Sequence, residues 1–122
     1  MSLLTFLVAI VLIMTVDAEA ADQTVRLAVG HSARVELEEN PSTGYRWGVD
    51  AKASSSLSIV RISDLGFSER EEGKHLLGAP GIHRWDIKAV SAGTASVVFN
   101  YRRPWENKPA RNHEVAVEAT VP

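Results

Sequence analysis

Two short strings carry the residue types of a binding surface: Asn40-Pro41-Ser42-Thr43-Gly44-Tyr45, and far downstream Arg103-Pro104-Trp105-Glu106. Each combines turn-forming residues with an aromatic. Pro41 fixes its own φ and pushes Asn40 toward an extended backbone. The Asn40 side chain can bond its own backbone two residues on and start the turn. Gly44 allows a conformation that a Cβ forbids, and a close approach by another segment. A stiff, narrow tip with Ser42 and Thr43 exposed is expected. Asn40-Pro41-Ser42 is no glycosylation acceptor, because proline holds the middle position. In the second string Pro104, with Pro109 beyond it, frames Trp105, a large flat side chain that loses little entropy on binding. Trp, Tyr and Arg are enriched at binding hot spots. Between the two strings, Gly78-Ala79-Pro80-Gly81 reads as a turn entering a strand, a weaker signal by itself.

Catalysis is poorly provided for. The sequence contains no G-x-S-x-G, phosphate-binding loop or dinucleotide fingerprint, and nothing designates a base for Ser42. His31, His75, His83 and His113 show no paired metal spacing and read as solvated or locally bonded. The chain has no cysteine, hence no disulfide scaffold, thiolate metal site or thiol nucleophile. Neither a metal nor another cofactor is expected, and the protein is not expected to be an enzyme.

The elements that must position these strings are short alternating runs. Val25, Leu27 and Val29 alternate with polar or small residues, as do Ala33, Val35 and Leu37. Tyr45, Trp47 and Val49 share a face, as do Trp85, Ile87 and Ala89, and Val97, Phe99 and Tyr101. Val115, Val117, Ala119 and Val121 form a last run. Period-two alternation broken by Gly, Pro, Ser and Asn predicts an antiparallel β-sandwich. Trp47 and Trp85 fall within the alternation and are expected in the core, Trp105 outside it. Leu57 to Ile62 is an apolar run without a clear phase. The charged, glycine-rich interval from Gly66 to Gly81 predicts a short helical turn or a loop.

Residues 1–20 read as a secretory signal peptide. Leu3 to Val16 is almost unbroken apolar sequence, and Ala18-x-Ala20 has the spacing a signal peptidase accepts. The run is short for a membrane span. Residues 21–122 then form one exported domain. Asp17 and Glu19 leave with the signal, so 13 of the 15 acidic residues remain against 13 Lys and Arg. That balance argues for neither nucleic acid nor an anionic membrane as partner.

With the three loops in place, the chain resembles the chagasin family of cysteine-peptidase inhibitors. Asn40–Tyr45 looks like the family's Asn-Pro-Thr-Thr-Gly-Tyr loop, Gly78–Gly81 falls where the family has Gly-x-Gly-Gly, and Arg103–Glu106 matches its Arg-Pro-Trp-Glu run. The resemblance implies an immunoglobulin-like fold with the three loops at one end, acting as a monomer on a papain-like cysteine peptidase. It places Thr43 and Gly44 at the apex in the cleft, Arg103 and Trp105 beside the enzyme's catalytic His, and Gly78–Gly81 on the other flank. Ser42 in place of Thr keeps the hydroxyl. Pro80 in place of Gly removes an N–H and confines φ, which implies a differently shaped second loop. An exported adhesion or ligand-binding module using the same loop end is the competing expectation. The destination after export would be secreted, periplasmic or vesicular.

Overall fold

The computed structural model describes residues 20–70 and 78–122. The expected signal peptide, apart from Ala20, lies outside them. The described chain forms seven strands: β1 Gln23–Ala28, β2 Ser32–Glu39, β3 Arg46–Val49, β4 Val60–Glu69, β5 Gly81–Ala89, β6 Gly93–Arg102 and β7 Arg111–Thr120. They make two sheets, ordered β1-β7-β6-β3 and β2-β5-β4. The all-β sandwich expected from the alternation is therefore present. One pair departs from the antiparallel expectation, since β1 runs parallel to β7. The chain leaves β1 through a tight turn at Gly30 (φ 95°) and enters the other sheet as β2, so β1 cannot pair with its neighbour in sequence.

The inward faces interdigitate as the alternation requires. Val35, Trp85 and Ile87 from one sheet meet Val97, Phe99, Val115 and Val117 from the other, all of them buried. Burial of each such side chain contributes about 1.5–3 kcal/mol, and a cysteine-free domain has this core as its main source of stability. Trp47 and Trp85 are in the core, as expected, and Trp85 packs against Phe99 with ring centroids 4.8 Å apart. Val121 is not part of the last strand, which stops at Thr120, and is exposed.

The interval from Gly66 was expected to be a loop or helical turn. Its first part is instead the end of β4, which continues to Glu69. The reason is a bulge between Asp64 and Gly66 that leaves Leu65 without a partner on β5. Asp64 Oδ1 accepts the Gly66 N–H at 2.8 Å, and Gly66 takes φ 85°. The bulge shifts the inward phase by one residue, so that Phe67 stands opposite His83. Leu57–Ile59, whose phase the sequence did not fix, is a single 3-10 turn leading into β4.

Register places the loops. Glu39, Gly81 and Glu69 lie side by side across β2, β5 and β4. In the other sheet Arg46 is opposite Arg102, and Tyr101 is opposite Arg111. The connections β2–β3, β4–β5 and β6–β7 therefore all emerge at one pole. Gly81 opens β5 and is buried, and a Cβ there would collide with the Phe67 ring and the Ser68 carbonyl. Gly81→Ala should lower stability by about 1–3 kcal/mol through overpacking, read as a fall in the denaturation midpoint.

A three-loop wedge at one pole of the sandwich

The β2–β3 loop is built by its own residues. Asn40 is extended (φ −119°, ψ 94°), and Pro41 opens a one-turn 3-10 helix ending at Thr43. Asn40 Oδ1 accepts the Ser42 N–H at 3.2 Å and the Ser42 hydroxyl at 2.6 Å. The Asn40 carbonyl accepts from the Thr43 hydroxyl at 2.7 Å, and the Gly44 N–H donates to the Pro41 carbonyl at 3.0 Å. Gly44 closes the turn at φ 82°. Ser42 and Thr43 are exposed at the tip, as expected.

The other two loops are tied to it. Arg103 Nε donates to the Thr43 carbonyl at 3.1 Å. The Trp105 indole lies so close over Gly44 that a Cβ on Gly44 would stand 2.7 Å from a ring carbon. Trp105 still leaves 71% of its surface exposed. Glu106 pairs with Arg103 at 3.1 Å and holds the guanidinium in place. On the opposite side, Asn40 Nδ2 donates to the Gly78 carbonyl at 2.9 Å. Gly78 takes φ 76°, while Ala79 and Pro80 are half-buried. The positive φ of this loop thus falls at Gly78 rather than at Pro80, a position that proline can occupy.

An aromatic column stands beneath the tip. The Arg103 guanidinium lies 4.3 Å from the Tyr45 ring centre, Tyr45 stacks on Tyr101 at 5.2 Å, and Tyr101 stacks on Trp47 at 4.9 Å. Arg111 covers Tyr101 at 4.9 Å. The Tyr101 hydroxyl accepts the Asn40 N–H at 2.9 Å, so the column also fixes the start of the loop.

Below the column lies a feature the sequence reading missed. Glu39 is fully buried. Its Oε1 accepts the Trp47 N–H at 2.7 Å and faces His83 Nδ1 at 3.0 Å. His83 Nε2 faces Asp64 Oδ1 at 2.6 Å, and its ring stacks on Trp85 with centroids 4.0 Å apart. Both contacts of the ring are hydrogen bonds when it carries a proton on each nitrogen. Glu39 thereby clips together the two ends of the Asn40–Tyr45 loop, with Trp47 Nε1 bonding the Glu38 carbonyl at 2.8 Å beside it. The signal was available: Glu39 continues the inward phase of Val35 and Leu37, and His83 that of Trp85 and Ile87. Among the described residues no group of His, Cys, Asp and Glu is arranged to hold a metal.

Comparison with known proteins agrees with this geometry. Residues 26–119 match the model described as Chagasin family peptidase inhibitor I42. This chain belongs to the chagasin family of peptidase inhibitors. It is 32% identical over 84 residues to chagasin of Trypanosoma cruzi, covering 67% of this chain and 74% of chagasin. In fold it is similar to the cysteine protease inhibitor EhICP2 of Entamoeba histolytica, with TM-score 0.64, 24% identity and 80% and 86% of the two chains covered. It is also similar in fold to PbICP-C, solved in complex with falcipain-2, with TM-score 0.56, 23% identity and coverage of 84% and 93%. The protein is an inhibitor rather than an enzyme, and its sandwich is of the immunoglobulin-like kind.

The buried clip makes a sharp prediction. His83→Phe keeps a ring on Trp85 but leaves Glu39 Oε1 and Asp64 Oδ1 without their His83 partner. It should destabilise the fold by about 1–3 kcal/mol, measured by chemical denaturation. Glu39→Gln keeps an acceptor for the Trp47 N–H and should cost clearly less.

Proposed function

We propose that this protein reversibly inhibits papain-like cysteine peptidases by filling the active-site cleft with three loops. The observation that carries the reading is the seating of Trp105 on Gly44 with Arg103 bonded to the Thr43 carbonyl. Two stretches some sixty residues apart become one wedge with Ser42 and Thr43 at its tip. Membership of a peptidase-inhibitor family supports it, as does the falcipain-2 complex of PbICP-C. Both also favour it over an adhesion module.

In this reading Thr43 and Gly44 enter the cleft near the catalytic Cys and His of the enzyme. Arg103 and Trp105 pack on one wall, and the Gly78–Gly81 loop flanks the other. Asn40, Pro41 and Tyr45 shape the tip, while Pro104 and Glu106 hold Arg103 and Trp105 in their poses. Inhibition is steric: the loops exclude substrate and no bond is made. Contacts of this type bury about 1,600 Å² in total, within reach of three adjacent loops. The protein acts as a monomer, without cofactor, nucleic acid or membrane, after export directed by residues 1–20.

Titration of a papain-like peptidase with the purified protein should abolish activity at a defined stoichiometry. Undiminished activity at a large excess of protein overturns the proposal. Trp105→Ala should weaken inhibition by about 2 kcal/mol, or roughly thirtyfold. Because the side chain is mostly exposed, stability should stay within about 0.5 kcal/mol of the parent. Gly44→Ala should do both kinds of harm. It forces a left-handed backbone on a residue with a Cβ, at about 1–2 kcal/mol, and it lifts Trp105 from its seat, so the inhibition constant should rise while the denaturation midpoint falls.

A further inference from the structure

Most arginines of the described chain have a partner. Arg26, Arg34, Arg70, Arg84 and Arg103 each pair with a carboxylate, and Arg111 lies over two aromatic rings. Arg46, Arg61 and Arg102 have neither kind of partner among the described residues; of these, Arg46 and Arg102 stand directly opposite each other across β3 and β6, next to the first and third loops, and are both exposed. Like charges placed directly opposite in a sheet are destabilising. Beside them the outer face is hollow. The next outward pair is Gly48 and Asn100, and no atom beyond Gly48 and its chain neighbours lies within 4 Å of where a Gly48 Cβ would stand. A groove of about 210 Å³ lies there, lined by Gly48 and Asn100, the two arginines and Pro104 together with Trp47 and Val49. Asp50, two residues beyond Gly48, is taken up by Asn100 Nδ2 and by the N–H groups of Lys52 and Ala53.

The position of the groove decides its use. Arg46 directly follows Tyr45 of the first loop, Arg102 directly precedes Arg103 of the third, and Pro104 belongs to both the groove and the third loop. Loops seated in a cleft would bring this face against the outer rim of the same enzyme. We propose that the groove is a second docking site that receives an acidic side chain of the target peptidase, outside its cleft. This rests on the peptidase-inhibitor reading and adds a contact to it. Two opposed arginine side chains, their Cβ atoms about 5 Å apart, can each offer paired N–H donors to a carboxylate lodged between them. An open, solvated site of this kind acts chiefly on the rate of association and its salt dependence.

The test compares association rate constants for the parent, the double variant R46E/R102E, the neutral pair R46Q/R102Q and R61E. Arg61 faces Lys88 at the far end of the other sheet, so R61E carries a charge reversal away from the wedge. The probe is a papain-like peptidase chosen for Asp or Glu on the rim beside its cleft, together with its Asn/Gln rim variant. Measurements run from about 0.1 M to 1 M salt, where the Debye length falls from about 10 Å to 3 Å. At low salt R46E/R102E should associate about tenfold more slowly than the parent, and R46Q/R102Q should lie between them. Both should show flatter salt dependence, and R61E should match the parent more closely than either. The rim variant of the peptidase should erase the differences between them. Equal rates and equal salt dependence for R46E/R102E and R61E on the acidic-rim peptidase overturn the second site while leaving cleft inhibition standing. Failure of the parent itself to inhibit counts against the peptidase reading instead.

Discussion

The wedge depends on one buried carboxylate. The chain leaves β2 at Glu39, makes a single 3-10 turn, and resumes as β3 in the opposite sheet. β3 is a short edge strand, and the Trp47 N–H is met by Glu39 rather than by another strand. The same oxygen faces His83, which faces Asp64 in turn. This chain of polar contacts runs from the last residue of β2 through β5 to the bulge of β4, and it ties both strand partners to the foot of the loop. A buried polar contact adds only modest net stability, while leaving one of its partners unsatisfied is costly. What such a network supplies is position: the start and end of the loop are fixed relative to both sheets at once.

Above that foot, rigidity comes from stacking and capping, with no covalent link. The chain has no cysteine, so nothing covalent staples the three loops. The column of Arg103, Tyr45, Tyr101 and Trp47 does this work through ring contacts and one cation–π pair. Tyr101 belongs to the core and to the loop together, because its ring packs inside while its hydroxyl holds the Asn40 N–H. Association then has few rotamers and few backbone angles left to freeze, and preorganised surfaces of equal area bind more tightly for that reason.

The strands with steady alternation were legible in the sequence because burial on one face imposes a period of two. β4 was not legible as a strand: its first residues fell in the apolar run from Leu57 to Ile62, which has no clear phase. Its bulge at Leu65 inserts a residue and reverses the phase, so Gly66 to Glu69 read as a loop. The internal geometry of the Asn40–Tyr45 loop was readable because every bond in it spans two or three residues. The contacts that make a wedge of it join Thr43 to Arg103 and Asn40 to Gly78, and no local pattern encodes such distances. Here the motif resemblance supplied what periodicity could not. Glu39 was overlooked, and His83 was read only as solvated or locally bonded, for a different reason. Charged residues at inward positions contradict the binary pattern, and the contradiction itself marked the place where the fold is specialised.

A loop that plugs a peptidase cleft must also survive there. Cleavage requires the backbone around the scissile bond to lie extended in the groove, whereas Pro41–Thr43 form a 3-10 turn closed by Gly44 in the left-handed region. To open it, the bonds from Ser42 and Thr43 to Asn40 and from Gly44 to Pro41 must break. Arg103 must release the Thr43 carbonyl, and Gly44 must leave the φ of 82° at which Trp105 rests on it. Each neutral hydrogen bond is worth about 0.5–1.5 kcal/mol net, and the one to a guanidinium about 1.5–3. Opening the loop into a form a peptidase could cut therefore gives up all of these contacts at once. Gly44 serves this in two ways, since its missing Cβ permits both the turn and the seat of Trp105. The features that shape the wedge are therefore also those that keep it from becoming a substrate.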